Sequence, residues 1–268
     1  MNESHLKRLE AINRFQKETQ TANKINVLLL GESGSGKSYL STTARKPVLI
    51  DSFDKGTARG LRQWIEKGEI VVDSRWEMEN PFKPAVYKEW EKETEGRLKD
   101  NFYHNFGTYY LDSLTSFSDA LMNAILAKDG IAGKPPRFTK DYVPQKVAIN
   151  NALNQLLNLP CDVIVTAHLE VIRDEISGQF IRRLMTTGKG VVTVPLLFDE
   201  IWVMQTKETS KGIERRILLE STGRDLARSR LAACGKLEPL EEPNIERLLK
   251  KAGITTETKP LPGTWNVD

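Results

Sequence analysis

Apolar residues fall in short unbroken runs along this chain, separated by longer stretches in which charge dominates. Runs at 26–30, 46–51, 69–73, 107–113, 161–168 and 201–205 are too short for helices and lack a regular polar face. That pattern marks strands covered on both sides, as in a parallel sheet. Residues 194–198 and 215–220 read as further strands, the latter turning at Ser221-Thr222-Gly223, and 170–183 as a hairpin turning at Ser177-Gly178. Helical spacing appears at 4–20, where Leu6, Leu9, Ile12 and Phe15 share a flank. This flank suits either packing on its own domain or docking on a neighbouring subunit. Further helices are expected at 84–101 (charged, with Val86, Trp90 and Leu98 as apolar points), 116–127, 145–157 and 241–252, the last closed by Gly253. Strands alternating with helices predict an α/β fold: a mostly parallel central sheet flanked by helices, with an antiparallel C-terminal extension.

Composition narrows the class only a little. With 268 residues, 39% hydrophobic and 28% charged, the chain suits one large soluble domain with short appendages. A net charge of +3 says little by itself, but residues 181–236 carry 11 Lys and Arg against 6 Asp and Glu. Two cysteines, Cys161 and Cys234, and three histidines, His5, His104 and His168, form no zinc pattern or disulfide framework, which fits a reducing cytoplasm. The polar amino terminus is not that of a signal peptide, and no apolar run reaches membrane-spanning length. The tail, 255–268, is expected to be loosely held.

The first apolar run leads into Gly31-Glu32-Ser33-Gly34-Ser35-Gly36-Lys37-Ser38, the pattern G-x-x-x-x-G-K-S, with Tyr39 in the helix that follows. Its glycines let backbone N–H groups turn inward around phosphate oxygens. Lys37 reaches the β- and γ-phosphates of a nucleoside triphosphate, and the Ser38 hydroxyl suits Mg²⁺. The run ending at Asp112, 75 positions after Lys37, supplies a carboxylate to orient the metal's water. Ser113 follows it where AAA- and ABC-type ATPases place a catalytic Glu, so a base must come from another strand. Asp54 is the first candidate and Asp51 the second, both beyond the same apolar run. His168, at the end of the 161–168 strand, falls where a γ-phosphate sensor would stand. No N-K-x-D follows the phosphate loop, which argues against a GTPase. Two basic segments remain: a loop at 128–145 holding Lys134, Arg137, Phe138 and Lys140, and another at 182–190. Cations with an interleaved aromatic suit a single nucleic-acid strand.

In this order the motifs resemble the RecA-like P-loop ATPases, in particular the phage-encoded AAA-type NTP-binding branch that includes single-strand annealing (Sak-type) proteins. The resemblance covers residues 24–236 and rests on G-E-S-G-S-G-K-S, Tyr110-Leu-Asp-Ser113, Val163-Ile-Val-Thr-Ala-His168, Phe198-Asp-Glu-Ile-Trp202 and Ala227-Arg-Ser-Arg-Leu231. It implies a RecA-like core at 22–236; outside this core lie an N-terminal helix at 1–21, suited to oligomerisation or to packing on its own domain, and a C-terminal helix and tail at 237–268. It also implies ATP and Mg²⁺ as cofactors, single-stranded DNA as partner, and nucleotide sites shared between copies of a homo-oligomer. Arg228 and Arg230 look like the K-x-R pair that acts on a neighbour's nucleotide, with Arg in place of Lys. The loops at 128–140 and 182–190 lie where RecA has its DNA loops. The second strand departs from the RecA pattern D-A-E: Phe53 aligns with its Glu and the carboxylate comes one residue later, at Asp54. The expected function is therefore a DNA-dependent ATPase of phage recombination, annealing or replication. The alternatives are a nucleoside or small-molecule kinase, and a nucleotide-gated binding module with little hydrolysis.

Overall fold

The computed structural model describes residues 3–18, 23–173, 175, 178–186, 190–210 and 212–264. Chain order is α1 (Glu3–Glu18), β1 (Asn26–Gly31), α2 (Lys37–Leu40), β2 (Val48–Ser52), α3 (Thr57–Gly60), α4 (Arg62–Glu66), β3 (Ile70–Asp73), α5 (Val86–Lys99) and β4 (Thr108–Asp112). There follow α6 (Leu114–Lys128), α7 (Tyr142–Leu157), β5 (Asp162–Arg173), β6 (Phe180–Leu184), α8 (Gly190–Thr193), β7 (Glu200–Thr209), β8 (Gly212–Leu218), β9 (Leu240–Glu241) and α9 (Ile245–Ala252). The sheet runs β3-β2-β4-β5-β1-β7-β8-β9, with β6 paired to β5. Strands β3 to β7 along this order are mutually parallel, and β8 and β9 add antiparallel. This is the α/β architecture, a mostly parallel central sheet flanked by helices with an antiparallel C-terminal extension, that the strand and helix pattern predicts.

The two-residue period of a strand sorts its side chains between two cores. Leu28, Leu30, Leu49, Tyr109, Leu111, Val163, Val165, Ile201 and Val203 face a layer that includes Trp90 of α5, Phe117 and Leu121 of α6, and Leu153 of α7. Val27, Leu29, Val48, Ile50, Tyr110, Ile164, Trp202 and Met204 face Leu40 of α2 and Ile245, Leu248 and Leu249 of α9. Residues buried on both faces need apolar side chains at every position, which is why the central runs are unbroken.

Asp51 shares parity with Leu49 and points into the first of these layers. It is buried, and it accepts hydrogen bonds from Trp76 Nε1 (3.2 Å), Trp90 Nε1 (2.9 Å), Tyr109 OH (2.7 Å) and Arg97 Nη1 (2.9 Å). Arg97 continues to Asp73 Oδ2 at 2.5 Å. This carboxylate is a strut tying α5 to β2 and β3. Asp51, the second-choice base, is thereby corrected to a structural role, and one of the charges of α5, Arg97, is buried with it.

Other expectations shift at the edges. Residues 194–198 are not a strand: Pro195 opens a 3-10 turn, Pro195–Leu197, after α8. The hairpin is present as β5 with β6, although Ser177 lies outside the described residues, as does part of the 182–190 segment. The helix expected from 145 starts earlier, at Tyr142. The tail is strapped to the domain as far as it is described: Arg45 donates to Thr255 O, Lys259 N–H to Lys46 O and Lys259 Nζ to His104 O. In α1 the flank Leu6, Leu9, Ile12 and Phe15 is exposed. Among the described residues no helix is long and apolar enough to cross a membrane.

Candidate functional site

The sheet register brings the predicted residues to one edge. Gly31 stands beside His168 and Met204, and Ser52 beside Asp112: β1, β2 and β4 end at Gly31, Ser52 and Asp112, while β5 and β7 run on past His168 and Met204, paired there to β6 and β8. Ligands of open α/β sheets sit beyond such ends. From Gly31 the chain enters the glycine-rich loop. Gly31 has no room for a side chain, since a Cβ would stand 2.6 Å from Ser35 Oγ and 3.0 Å from Met204 Cβ. Gly36 adopts φ +100°, a left-handed conformation that favours glycine, and leads directly into α2. Ser35 N–H donates to Glu32 O at 3.2 Å, closing the loop on itself, and the buried Ser35 hydroxyl has no partner among the described residues.

Lys37 is buried and folds back over the loop, its Nζ donating to Gly31 O and Glu32 O, each at 2.9 Å. Burial pushes its pKa down, and Asp112, Asp54 and Glu32 oppose the shift. Ser38 Oγ donates to Asp112 Oδ2 at 2.6 Å. Thr57 Oγ1 shares that oxygen at 3.1 Å, and Thr166 Oγ1 donates to Oδ1 at 2.6 Å. Asp112 is fully enclosed, and burial raises its pKa despite these hydroxyl donors. A buried carboxylate beside a serine hydroxyl offers hard oxygen donors that suit Mg²⁺, which takes one or two protein oxygens and fills its octahedron with phosphate and water. Among the described residues no three or more His, Cys, Asp or Glu cluster to hold a metal by themselves. Ser38 and Asp112 are the residues that would hold Mg²⁺.

Phe53 and Asp54 explain the departure in the second strand. Phe53 turns into the core, its ring 5.2 Å from that of Phe117 and 6.5 Å from that of Trp76. Asp54 instead reaches the site, where its Oδ1 accepts from Ser113 Oγ (2.9 Å) and Ser116 Oγ (2.5 Å), and its Oδ2 lies 3.2 Å from His168 Nε2. Burial pushes the Asp54 pKa up, but the hydrogen bonds from His168, Ser116 and Ser113 outweigh it and hold the carboxyl below its ordinary value. His168 Nδ1 lies 3.4 Å from Lys37 Nζ. An ammonium only donates, so Nδ1 is the acceptor there and Nε2 carries the proton toward Asp54. Lys37, His168 and Asp54 thus form one polar chain. Ser113, the residue after Asp112, serves to anchor Asp54 and to cap α6.

Some predicted residues are not brought together. Arg228 and Arg230 lie toward the start of β7, at the opposite end of the sheet from the phosphate loop. Arg228 Nη2 donates to Pro195 O (3.2 Å) and Phe198 O (2.5 Å), which gives this side chain a structural task. Arg230 is exposed and pairs with Asp199 at 3.0 Å. In the 128–145 loop Arg137 is held by Asp129 and Asp141, and Lys140 by Asp129, leaving Phe138 (88% exposed) and Lys134 facing outward. Conversely, the sequence reading did not single out Thr57, Thr166, Ser116 or Arg215. Arg215 of β8 passes over Gly36, its Cδ 3.3 Å from where a Cβ would be. With Tyr39, Thr43, Met204, Ile213 and Pro243 it lines a cavity of about 550 Å³ beside the loop. Their partners are not legible locally: Thr57 and Thr166 reach Asp112 across 55 and 54 positions, Ser116 reaches Asp54 across 62, and Arg215 crosses over Gly36 from a distant strand.

A phosphate-binding loop on a parallel α/β sheet, with a Lys, a Ser and a strand-end Asp converging on it, defines a P-loop NTPase. The chain belongs to the AAA domain family AAA_24, whose model matches residues 23–231 and makes it a member of a P-loop ATPase family. No curated protein matches it. Among solved structures it is similar to a KaiC-like protein of Pyrococcus horikoshii (13% identity, TM-score 0.42, covering 76% of this chain and 81% of that one). It is similar also to the flagellar accessory protein FlaH of Methanocaldococcus jannaschii (12%, 0.42, 81% and 83%). A further likeness is to a type III secretion system ATPase of pathogenic bacteria (14%, 0.47, 85% and 62%).

Proposed function

We propose that this chain is a Mg²⁺-dependent ATPase of the RecA-like type that acts on single-stranded DNA in phage recombination, annealing or replication, within the cytoplasm of a bacterial host. The observation that carries the hydrolytic part is the continuous polar chain Lys37–His168–Asp54 beside the Ser38–Asp112 pair. Lys37 exchanges its two loop carbonyls for phosphate oxygens and neutralises their charge. Bound Mg²⁺ supplies further charge stabilisation at those oxygens. Asp54, fixed by two serine hydroxyls, keeps His168 oriented, and the two side chains together position the attacking water. Tyr39 and Arg215 offer flat groups beside the cavity for a nucleobase.

Support for the strand partner is the β5–β6 ribbon, which grows out of the His168 strand and carries Arg173 and Arg183 with exposed Val171 and Phe180. Support for assembly is the exposed apolar flank of α1, and Arg230, which is free of the phosphate site of its own chain. The deciding experiment measures ATP hydrolysis with and without single-stranded DNA, and with nucleosides as acceptors. Stimulation by DNA is expected. Transfer of phosphate to a nucleoside would replace the proposal with a kinase.

A further inference from the structure

We infer that Arg182 is a phosphate-contacting residue that reads the terminal phosphate of the bound triphosphate from within the same chain. The inference rests on the nucleotide reading given above, and concerns which of this chain's own cations completes the site. Arg182 belongs to β6, which pairs with the part of β5 that continues from His168; Met185 N–H donates to His168 O at 2.9 Å. Its guanidinium Nη1 stands 3.7 Å from the carboxylate of Glu32, the residue directly after Gly31. Glu32 O is also one of the two carbonyls that hold Lys37 Nζ, and Lys37 in turn meets His168. Arg182 therefore stands on the side of the loop where Lys37 and His168 converge, whereas the cavity lined by Tyr39 and Arg215 is on the side of Gly36.

The guanidinium is hydrogen-bonded at one end and held at the other only by a long ion pair with Glu32. Nη2 donates to Asp225 Oδ2, and Arg182 N–H donates to Arg224 O at 2.7 Å, so both backbone and side chain are held. Asp225 is buried and is braced by Gln205 of β7, whose Nε2 donates to Oδ2 at 3.3 Å. The bond to Asp225 is the side chain's one hydrogen bond among the described residues, and Nη1 at 3.7 Å from Glu32 is beyond hydrogen-bond reach. A guanidinium has five N–H donors in a rigid fork, so donors remain on the face turned to the loop. Arg182 is about one-quarter exposed, and Glu32 more than half. Such partial shielding strengthens its pull on an anion held by the loop, and the same charge offsets the repulsion that Glu32 would exert on that anion.

The test compares the Mg²⁺ complexes of the non-hydrolysable triphosphate AMPPNP and of ADP by calorimetric titration. The variants are Arg182→Gln combined with Asp225→Asn, which removes the charge without stranding a buried carboxylate, and Arg182→Lys. A hydrogen bond to a charged group justifies an expected loss on the order of 10-fold in AMPPNP affinity for the double variant, with ADP affinity within about 2-fold of wild type. Arg182→Lys is expected to lose less. Equal losses for both nucleotides, or no loss for either, would overturn the inference while leaving the nucleotide site standing. If the double variant fails to fold, Arg182→Lys decides: an unchanged AMPPNP-to-ADP ratio overturns the inference, and a lowered ratio supports it. A wild-type protein that binds neither nucleotide overturns the nucleotide reading itself, and this inference with it.

Discussion

Asp54 is held by three donors, and this has a cost in basicity and a benefit in order. A carboxylate kept below its ordinary value of 3.8 is a poor proton acceptor but a firm orienting group for His168. Asp54→Asn is therefore expected to lower turnover by about 10²-fold with nucleotide binding retained, the scale on which misplacing a reacting group is felt. The substitution also carries a pH signature. A depressed pKa contributes stability that is present above the unfolded value and is lost as pH falls through the folded one. The variant should thus be less stable than wild type at pH 7, and the gap should close on acidification below about pH 4, as urea unfolding at the two ends of that range would show. A gap independent of pH would mean that the ionised form has no special partners.

Among the elements, α5 shows how a charged helix can be part of the core. Its Arg97 bonds Asp51 and Asp73, while Trp90 of the same helix bonds Asp51 from the other side. Removing one member of a buried pair leaves the other unpaired, so Arg97→Met is expected to cost about 3–5 kcal/mol in urea unfolding. Adding Asp51→Asn should recover much of that loss, because the stranded charge is gone. The parity of β2 makes the arrangement intelligible: Leu49, Asp51 and Phe53 share one face, so Asp51 follows the apolar residues inward. Alternation places Asp51 on the Leu49 face once the strand's two layers are known, but the unbroken apolar run of β2 left both Asp51 and Asp54 as candidates. What it did not contain was the identity of the four donors, which come from 25 to 58 residues away.

At the scale of the whole molecule, a neighbouring copy would add to what one chain already assembles. Lys37, Ser38, Asp54, Asp112 and His168 converge within a single chain, and Arg230 does not join them. If copies associate through α1 as proposed, Arg230 of one copy is available to the nucleotide of the next. Arg230→Ala is then expected to abolish turnover, an arginine finger contributing about 10³–10⁵ in rate, with ATP binding nearly intact. Specific activity of the wild type should also rise with protein concentration. Activity that is flat with concentration, together with an active Arg230→Ala, would assign the phosphate's arginine to the chain itself.

The phosphate loop, Asp112 at the end of its strand, the strand that carries His168 (though it runs on to Arg173), and the alternating α/β order were legible in the sequence alone. They depend on local rules: glycines where the backbone turns, apolar runs where both faces are covered, polar residues where a strand ends. The tertiary structure decided the pairings. It made Asp51 a strut and Asp54 the partner of His168, bound Arg137 and Arg228 into structural contacts, and brought Arg182 to Glu32 across 150 positions. The physical reason is that a side chain's partner is set by which loops close around it. A nearby motif specifies backbone geometry, but it holds no record of a residue more than a hundred positions away.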